Sequence, residues 1–90
     1  MSHEELATAS EDLRNALELV DDEDLRERIE SHAGQLEDLA ERDRGPDHGR
    51  LARHMTALGE IGDALDGEAA DHVDAAYDRL KEYRKGVEGV

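Results

Sequence analysis

The sequence contains no cysteine, no tryptophan and no phenylalanine, and tyrosine occurs only twice. Without cysteine the chain has no disulfide, no thiolate ligand for zinc or iron–sulfur clusters, and no thiol nucleophile. Without Phe or Trp it lacks the aromatic platforms on which single-stranded nucleic acids stack their bases. No apolar run approaches the roughly 18 residues of a membrane span, and the first residues are too acidic for a signal peptide. We therefore expect a cytoplasmic protein without a membrane partner.

Sequence signatures of common catalytic and nucleotide sites are also missing. No serine lies in the Gly-x-Ser-x-Gly pattern of esterase-type nucleophiles, and we expect Ser10 and Ser31 at exposed helix positions. Gly59 and Gly62 interrupt a helical pattern, whereas phosphate-binding glycines lie in a loop after a strand. The sequence therefore predicts a non-enzymatic protein with no cofactor.

The composition and the pattern of apolar residues favour opposite conclusions about folding. The chain has 25 acidic and 11 basic residues, a net charge of −14, and only 17 Leu, Ile and Val among 90 residues. Such values are typical of disordered chains. The large apolar residues nevertheless recur every three or four positions, as they do in amphipathic helices. Because high ionic strength screens repulsion among carboxylates, we expect a folded helical protein that depends on salt or on a partner.

Four segments of similar length carry the helical period, and turn signals separate them. These signals are the acidic run 21–24, Gly45-Pro46 and Asp66-Gly67, and Ser2 begins the first segment as a capping residue. Helices are predicted over approximately 3–20, 22–43, 47–65 and 67–85, within one domain covering 1–90. Since short loops make neighbouring helices antiparallel, the sequence predicts an all-α, up-down-up-down bundle of four amphipathic helices.

The predicted apolar faces are rich in alanine, which lets helices approach closely but offers little area to bury. A second copy of the chain could complete the core, for example by exchanging helical hairpins. Monomer and homodimer therefore both remain open from the sequence.

Histidines fall on or near the predicted inner faces. His32 lies on the inner seam of the second helix, and His54 and His72 lie beside theirs. A di-metal site in a helical bundle needs Glu-x-x-His on two helices, and the nearest match is Glu68 with His72, four residues apart. We interpret the histidines as partly buried, hydrogen-bonded seam residues. A carboxylate–histidine metal site, or pH sensing, is the weaker alternative.

Residues 42–54, which we call the basic island, carry a net charge of +2 in an otherwise acidic chain. Next to a helix N-terminus these side chains could hold a phosphate, a nucleic acid or a partner's carboxylates. Alternatively they pair with Glu41, Asp43, Asp47 and the acidic faces of other helices, and so lock the hairpin. The candidate side chains are Arg42, Arg44, Arg50, Arg53 and His54.

The composition, with nine arginines, two lysines and an excess of acid, resembles that of cytosolic proteins of haloarchaea. The basic island, RDRGPDHGRLARH, also resembles a segment of small uncharacterised helical proteins of those organisms. The resemblance implies a protein that works in molar KCl. No function is attached to that group, so it implies no site residues.

Together these observations predict a protein–protein interaction or structural module adapted to high salt, whose partner is another protein or a second copy. Anion or nucleic-acid binding through the basic island is the alternative, although molar salt weakens phosphate contacts and disfavours a nucleic acid. A metal site ranks third.

Overall fold

A computed structural model describes residues 3–42 and 48–85, and within them the chain forms four α-helices and no strand. The helices are α1 (Glu4–Leu17), α2 (Glu23–Ala40), α3 (His48–Asp63) and α4 (Gly67–Lys85). They correspond one to one with the four predicted segments. The predicted all-α fold is confirmed.

Consecutive helices run antiparallel and form an up-down-up-down bundle. The start of α1 lies beside the end of α4, where His3 Nδ1 and the Tyr83 hydroxyl are 3.0 Å apart. Packing is close between α1 and α2, α1 and α4, and α3 and α4, whereas α2 and α3 approach each other at few positions. We call this fourth side the α2–α3 edge; it is formed by Arg28 and His32 of α2 and by His54 and Glu60 of α3. The backbones of α2 and α3 are therefore farther apart than those of the other three neighbouring helix pairs.

One aliphatic core fills the bundle. Leucines supply most of its volume, and small side chains bring the helices together. The buried alanines are Ala9, Ala16, Ala33, Ala69 and Ala76. Within the described residues, Leu19 is the only large apolar side chain that is exposed, at 49%. A single chain thus covers its own core almost completely.

Helices α1 and α2 end earlier than predicted. At the end of α1, a side chain of α2 donates hydrogen bonds to backbone carbonyls. The guanidinium of Arg26 donates to the carbonyls of Leu17 at 2.6 Å and Val20 at 2.9 Å. A cation is favoured at a helix C-terminus, so α1 ends at Leu17 rather than near residue 20. Helix α2 likewise ends at Ala40, so Arg42 lies beyond the last turn in which the sequence predicted it.

Helix starts depend on local caps. The Asp22 carboxylate accepts a hydrogen bond from the Leu25 amide at 3.1 Å, which confirms that the acidic run leads into a helix N-terminus. His3 occupies the cap position of α1, but its side chain makes no capping hydrogen bond, and Ser2 lies outside the described residues.

Glycines in and after α3 meet different surroundings. A Cβ on Gly59 would meet no atom within 4 Å, whereas one on Gly62 would lie 3.1 Å from the Asp74 carboxylate of α4. Gly67, at the start of α4, has a φ of +63°, in the left-handed region that disfavours other residues. The sequence separated Gly67, as part of a turn signal, from Gly59 and Gly62 inside a helix, but it could not distinguish the last two.

We expect Gly59→Ala to stabilise the fold by about 0.5–1 kcal/mol, because alanine costs less backbone entropy in a helix than glycine. Gly67→Ala should destabilise it by about 1 kcal/mol, because of its positive φ. Thermal unfolding followed by circular dichroism tests both changes. A lower melting temperature for Gly59→Ala would show that α3 is not helical at this residue.

Candidate functional site

The α2–α3 edge is joined by a direct contact between two histidines. The Nδ1 atoms of His32 and His54 lie 2.8 Å apart, within hydrogen-bond distance. The rings meet edge to face, with centroids 5.0 Å apart and an interplanar angle of 81°. One Nδ1–H therefore donates to the unprotonated Nδ1 of the other ring, and this bond requires at least one neutral imidazole.

The helical period places both rings in the edge. His54 lies on the buried face of α3, between Leu51 and Leu58, and only 4% of it is exposed. His32 is half-buried, on the side of α2 that carries Ile29 and Leu36. The interpretation of these residues as hydrogen-bonded seam histidines is confirmed for this pair.

A buried hydroxyl anchors α2 to α1 next to the pair. Ser10 Oγ donates to the carbonyl of Ala33 at 2.8 Å, and Ser10 is only 3% exposed. The prediction that Ser10 lies on an exposed helix face is therefore wrong. Its position, three residues before Leu13 and four after Leu6, agrees with the apolar period and could have revealed the burial.

Burial keeps both imidazoles neutral. It lowers the pKa of His54 from the ordinary value of 6.5 to about 4, and the neighbouring charges of His32 and Arg50 act in the same direction. Burial also lowers the pKa of His32, with a further contribution from Arg28. Near neutral pH the pair therefore exists as two uncharged rings sharing one hydrogen bond.

The second contact across the edge is an exposed ion pair. Arg28 Nη2 lies 3.4 Å from Glu60 Oε1, and the two side chains are 46% and 66% exposed. Exposed ion pairs of this kind contribute less than about 1 kcal/mol, and salt screens them further. The histidine pair is therefore the main specific polar contact between α2 and α3 in the described structure.

Other polar groups connect helices that already pack closely. Arg14 Nη2 lies 2.9 Å from Glu37 Oε1 between α1 and α2. Asp12 Oδ2 lies 3.7 Å from Arg79 Nε between α1 and α4, too far for a hydrogen bond. Burial raises the pKa of the Asp12 carboxyl, although Arg79 partly opposes this shift. These groups belong to helix–helix packing.

The structure separates the members of the basic island. Arg42, Arg50 and Arg53 are exposed, whereas His54 faces inward and contacts His32. Arg44 lies outside the described residues, as do Asp43 and Asp47. The described part therefore brings His54 to the α2–α3 edge, where the charge of Arg50 also acts on it, while the side chain of Arg53 is exposed.

Within residues 3–42 and 48–85, no three His, Asp or Glu side chains converge as metal ligands would. None of the helices in this part combines the length and the apolar character that crossing a bilayer requires.

Comparison with known proteins gives one match. The model of a family described as a family of unknown function, DUF7553, matches residues 1–86. This range includes all four helices and both histidines of the edge. No curated protein and no solved structure matches the chain significantly.

We expect His54→Ala to lower the free energy of unfolding by about 2 kcal/mol near neutral pH, because it leaves His32 without its partner and opens a void. His54→Asn should lose much less, since its amide places a polar atom close to the position of Nδ1. Urea denaturation in KCl measures both values, and His72→Ala, at a half-buried site on α4, is the control. Equal losses for the Ala and Asn variants would contradict a role for the hydrogen bond.

Proposed function

The chain belongs to the DUF7553 family of unknown function, and we propose that it is a non-enzymatic module, adapted to high salt, that binds another protein through the α2–α3 edge. The observation that carries this proposal is the uneven packing of the bundle. Three neighbouring helix pairs pack closely, whereas the backbones of α2 and α3 are more widely spaced and are bridged by the histidine pair and an exposed ion pair.

The occupant that we propose is an amphipathic helix of a partner protein. A helix laid along the edge would contact both α2 and α3 and would supply the packing that these two helices do not give each other. A net charge of −14 favours a partner whose apolar stripe is flanked by lysine or arginine. Leu19 is the only large exposed apolar side chain in residues 3–42 and 48–85, so such a partner gains most of its apolar contact by separating α2 from α3.

The use of the polar side chains supports a role in binding rather than in catalysis. Arg14, Arg28 and Arg79 each reach a carboxylate on another helix. Ser10, the buried hydroxyl, is already bonded to a backbone carbonyl. A protein partner also suits high salt better than a phosphate ligand of the basic island does, because apolar burial survives the screening that weakens phosphate contacts.

Locking the edge tests this function. The chain has no native cysteine, so Arg28→Cys/Glu60→Cys can be joined specifically by a reducible bis-maleimide linker. We expect proteins captured from a high-salt lysate by the unlocked bait to be lost when the linker is in place and to return after reduction.

The matched control is Arg14→Cys/Glu37→Cys, which places the same linker across the closed α1–α2 side. This bait should retain its partners in both states. Retention of the same proteins by the bait locked across the α2–α3 edge would refute the proposed binding surface.

Adaptation to high salt predicts that the free energy of unfolding rises when KCl is increased from about 0.1 M to about 3 M, where the Debye length falls to a few Å. The measurement is urea denaturation at each KCl concentration. The control variant Glu30→Gln/Asp71→Asn/Asp78→Asn removes three exposed carboxylates and should show a smaller increase. A stability that is independent of KCl would contradict the adaptation.

A further inference from the structure

We propose that His32 and His54 form a proton-sensitive latch: the edge is closed while they share a hydrogen bond, and acid opens it by charging both rings. The proposal rests on the proposed function, because it assigns a regulatory role to the surface proposed there for binding. It concerns the isolated chain, however, and can be tested without a partner.

The first argument is the geometry of the shared bond. With a separation of 2.8 Å, the two Nδ1 atoms have room for one proton between them. When both rings are charged, both Nδ1 atoms carry a proton, so two N–H donors meet head to head with one positive charge on each ring. Because His54 is almost completely buried, water cannot separate these charges while the helices stay in place. Double protonation therefore breaks the contact between the two rings, and in the proposed latch α2 and α3 separate when this contact is lost.

The second argument is that, besides the aliphatic core that all four helices share, this side of the bundle carries the histidine pair and the Arg28–Glu60 ion pair. Helix α2 stays attached to α1 through close packing and the bond from Ser10 to Ala33. Helix α3 stays attached to α4 through a close approach at Gly62. The edge can thus open as a movement of two helix pairs, with the α1–α4 contact as the hinge. The Arg28–Glu60 ion pair is too exposed to prevent it.

The third argument is the charge around the pair, which comes from both helices of the edge. Arg28 of α2 and Arg50 of α3 act on the rings with positive charge, and Glu60 of α3 is paired with Arg28. On α1, the Ser10 hydroxyl, which donates to the carbonyl of Ala33, the residue after His32, carries no charge. From α4, the carboxylate of Asp74 faces Gly62. The charges that act on the rings therefore oppose their protonation in the closed state.

The direction of the pH effect follows from linkage. In the closed edge the pKa of His54 is about 4, and exposure to water returns it toward 6.5. Between these values the open state binds more protons than the closed state. In this range, each decrease of one pH unit therefore raises the equilibrium constant for opening by up to about tenfold for each additional proton that the open state binds. Protonation of surface carboxylates has the opposite effect, because it relieves the repulsion that tends to expand this acidic bundle.

Paired nitroxide labels test the latch directly. Ser31→Cys and Thr56→Cys carry labels on exposed positions of α2 and α3, and Asn15→Cys and Asp38→Cys do the same for α1 and α2. Dipolar distance measurements are made in one KCl concentration, between about pH 7.5 and about pH 4.5. We expect a longer α2–α3 distance to appear and grow as the pH falls, while the α1–α2 distance stays the same.

The variant His32→Asn/His54→Asn keeps a hydrogen bond across the edge but cannot take up protons there. In this background the α2–α3 distance should not depend on pH. The latch is overturned if the distance is constant in the native background, if both label pairs change together as in global unfolding, or if the Asn variant opens equally. None of these outcomes affects the locked-bait experiment at neutral pH, so failure of the latch and failure of the binding surface are distinguishable.

Discussion

Repulsion among carboxylates around a thin aliphatic core is the constraint on which the rest of this structure depends. The chain has more than two acidic residues for each basic one, and few large apolar side chains to oppose their repulsion. Several arginines accordingly form contacts between two helices or at the end of a helix. Arg14, Arg28 and Arg79 each connect two helices, and Arg26 closes the end of α1. The planar guanidinium suits this use, since it donates in several directions without losing its charge.

The α2–α3 edge departs from this pattern, because its buried contact is made by two uncharged rings. Screening by salt changes ion pairs throughout the bundle, but it has little effect on a hydrogen bond between neutral imidazoles. At the α2–α3 edge, pH therefore acts on a contact that salt leaves largely unchanged. Salt acts on charges throughout the bundle, whereas protonation of His32 and His54 acts on one side of it.

The sequence predicted the helices and most of the core, because periodicity is a property of each helix by itself. Ile29, His32 and Leu36 follow from spacing alone. Spacing cannot indicate which residue of another helix will lie opposite, so the pairing of His32 with His54 was not predictable. The burial of Ser10 agrees with the apolar period of α1, but its acceptor, a carbonyl on α2, was not predictable for the same reason. The wider spacing of α2 and α3 is a distance between two helices, and the apolar pattern within each helix does not determine that distance.

The contact between α1 and α4 also determines the order in which the chain can fold. His3 and Tyr83 meet although 80 positions separate them, and α3 packs mainly on α4. During synthesis the first three helices lack the element against which α1 and α3 both pack. The α1–α2 hairpin can form before α4 has been synthesised, but the closing contact between α1 and α4 cannot. That contact is non-local, whereas the α1–α2 and α3–α4 contacts join helices that are neighbours in the chain.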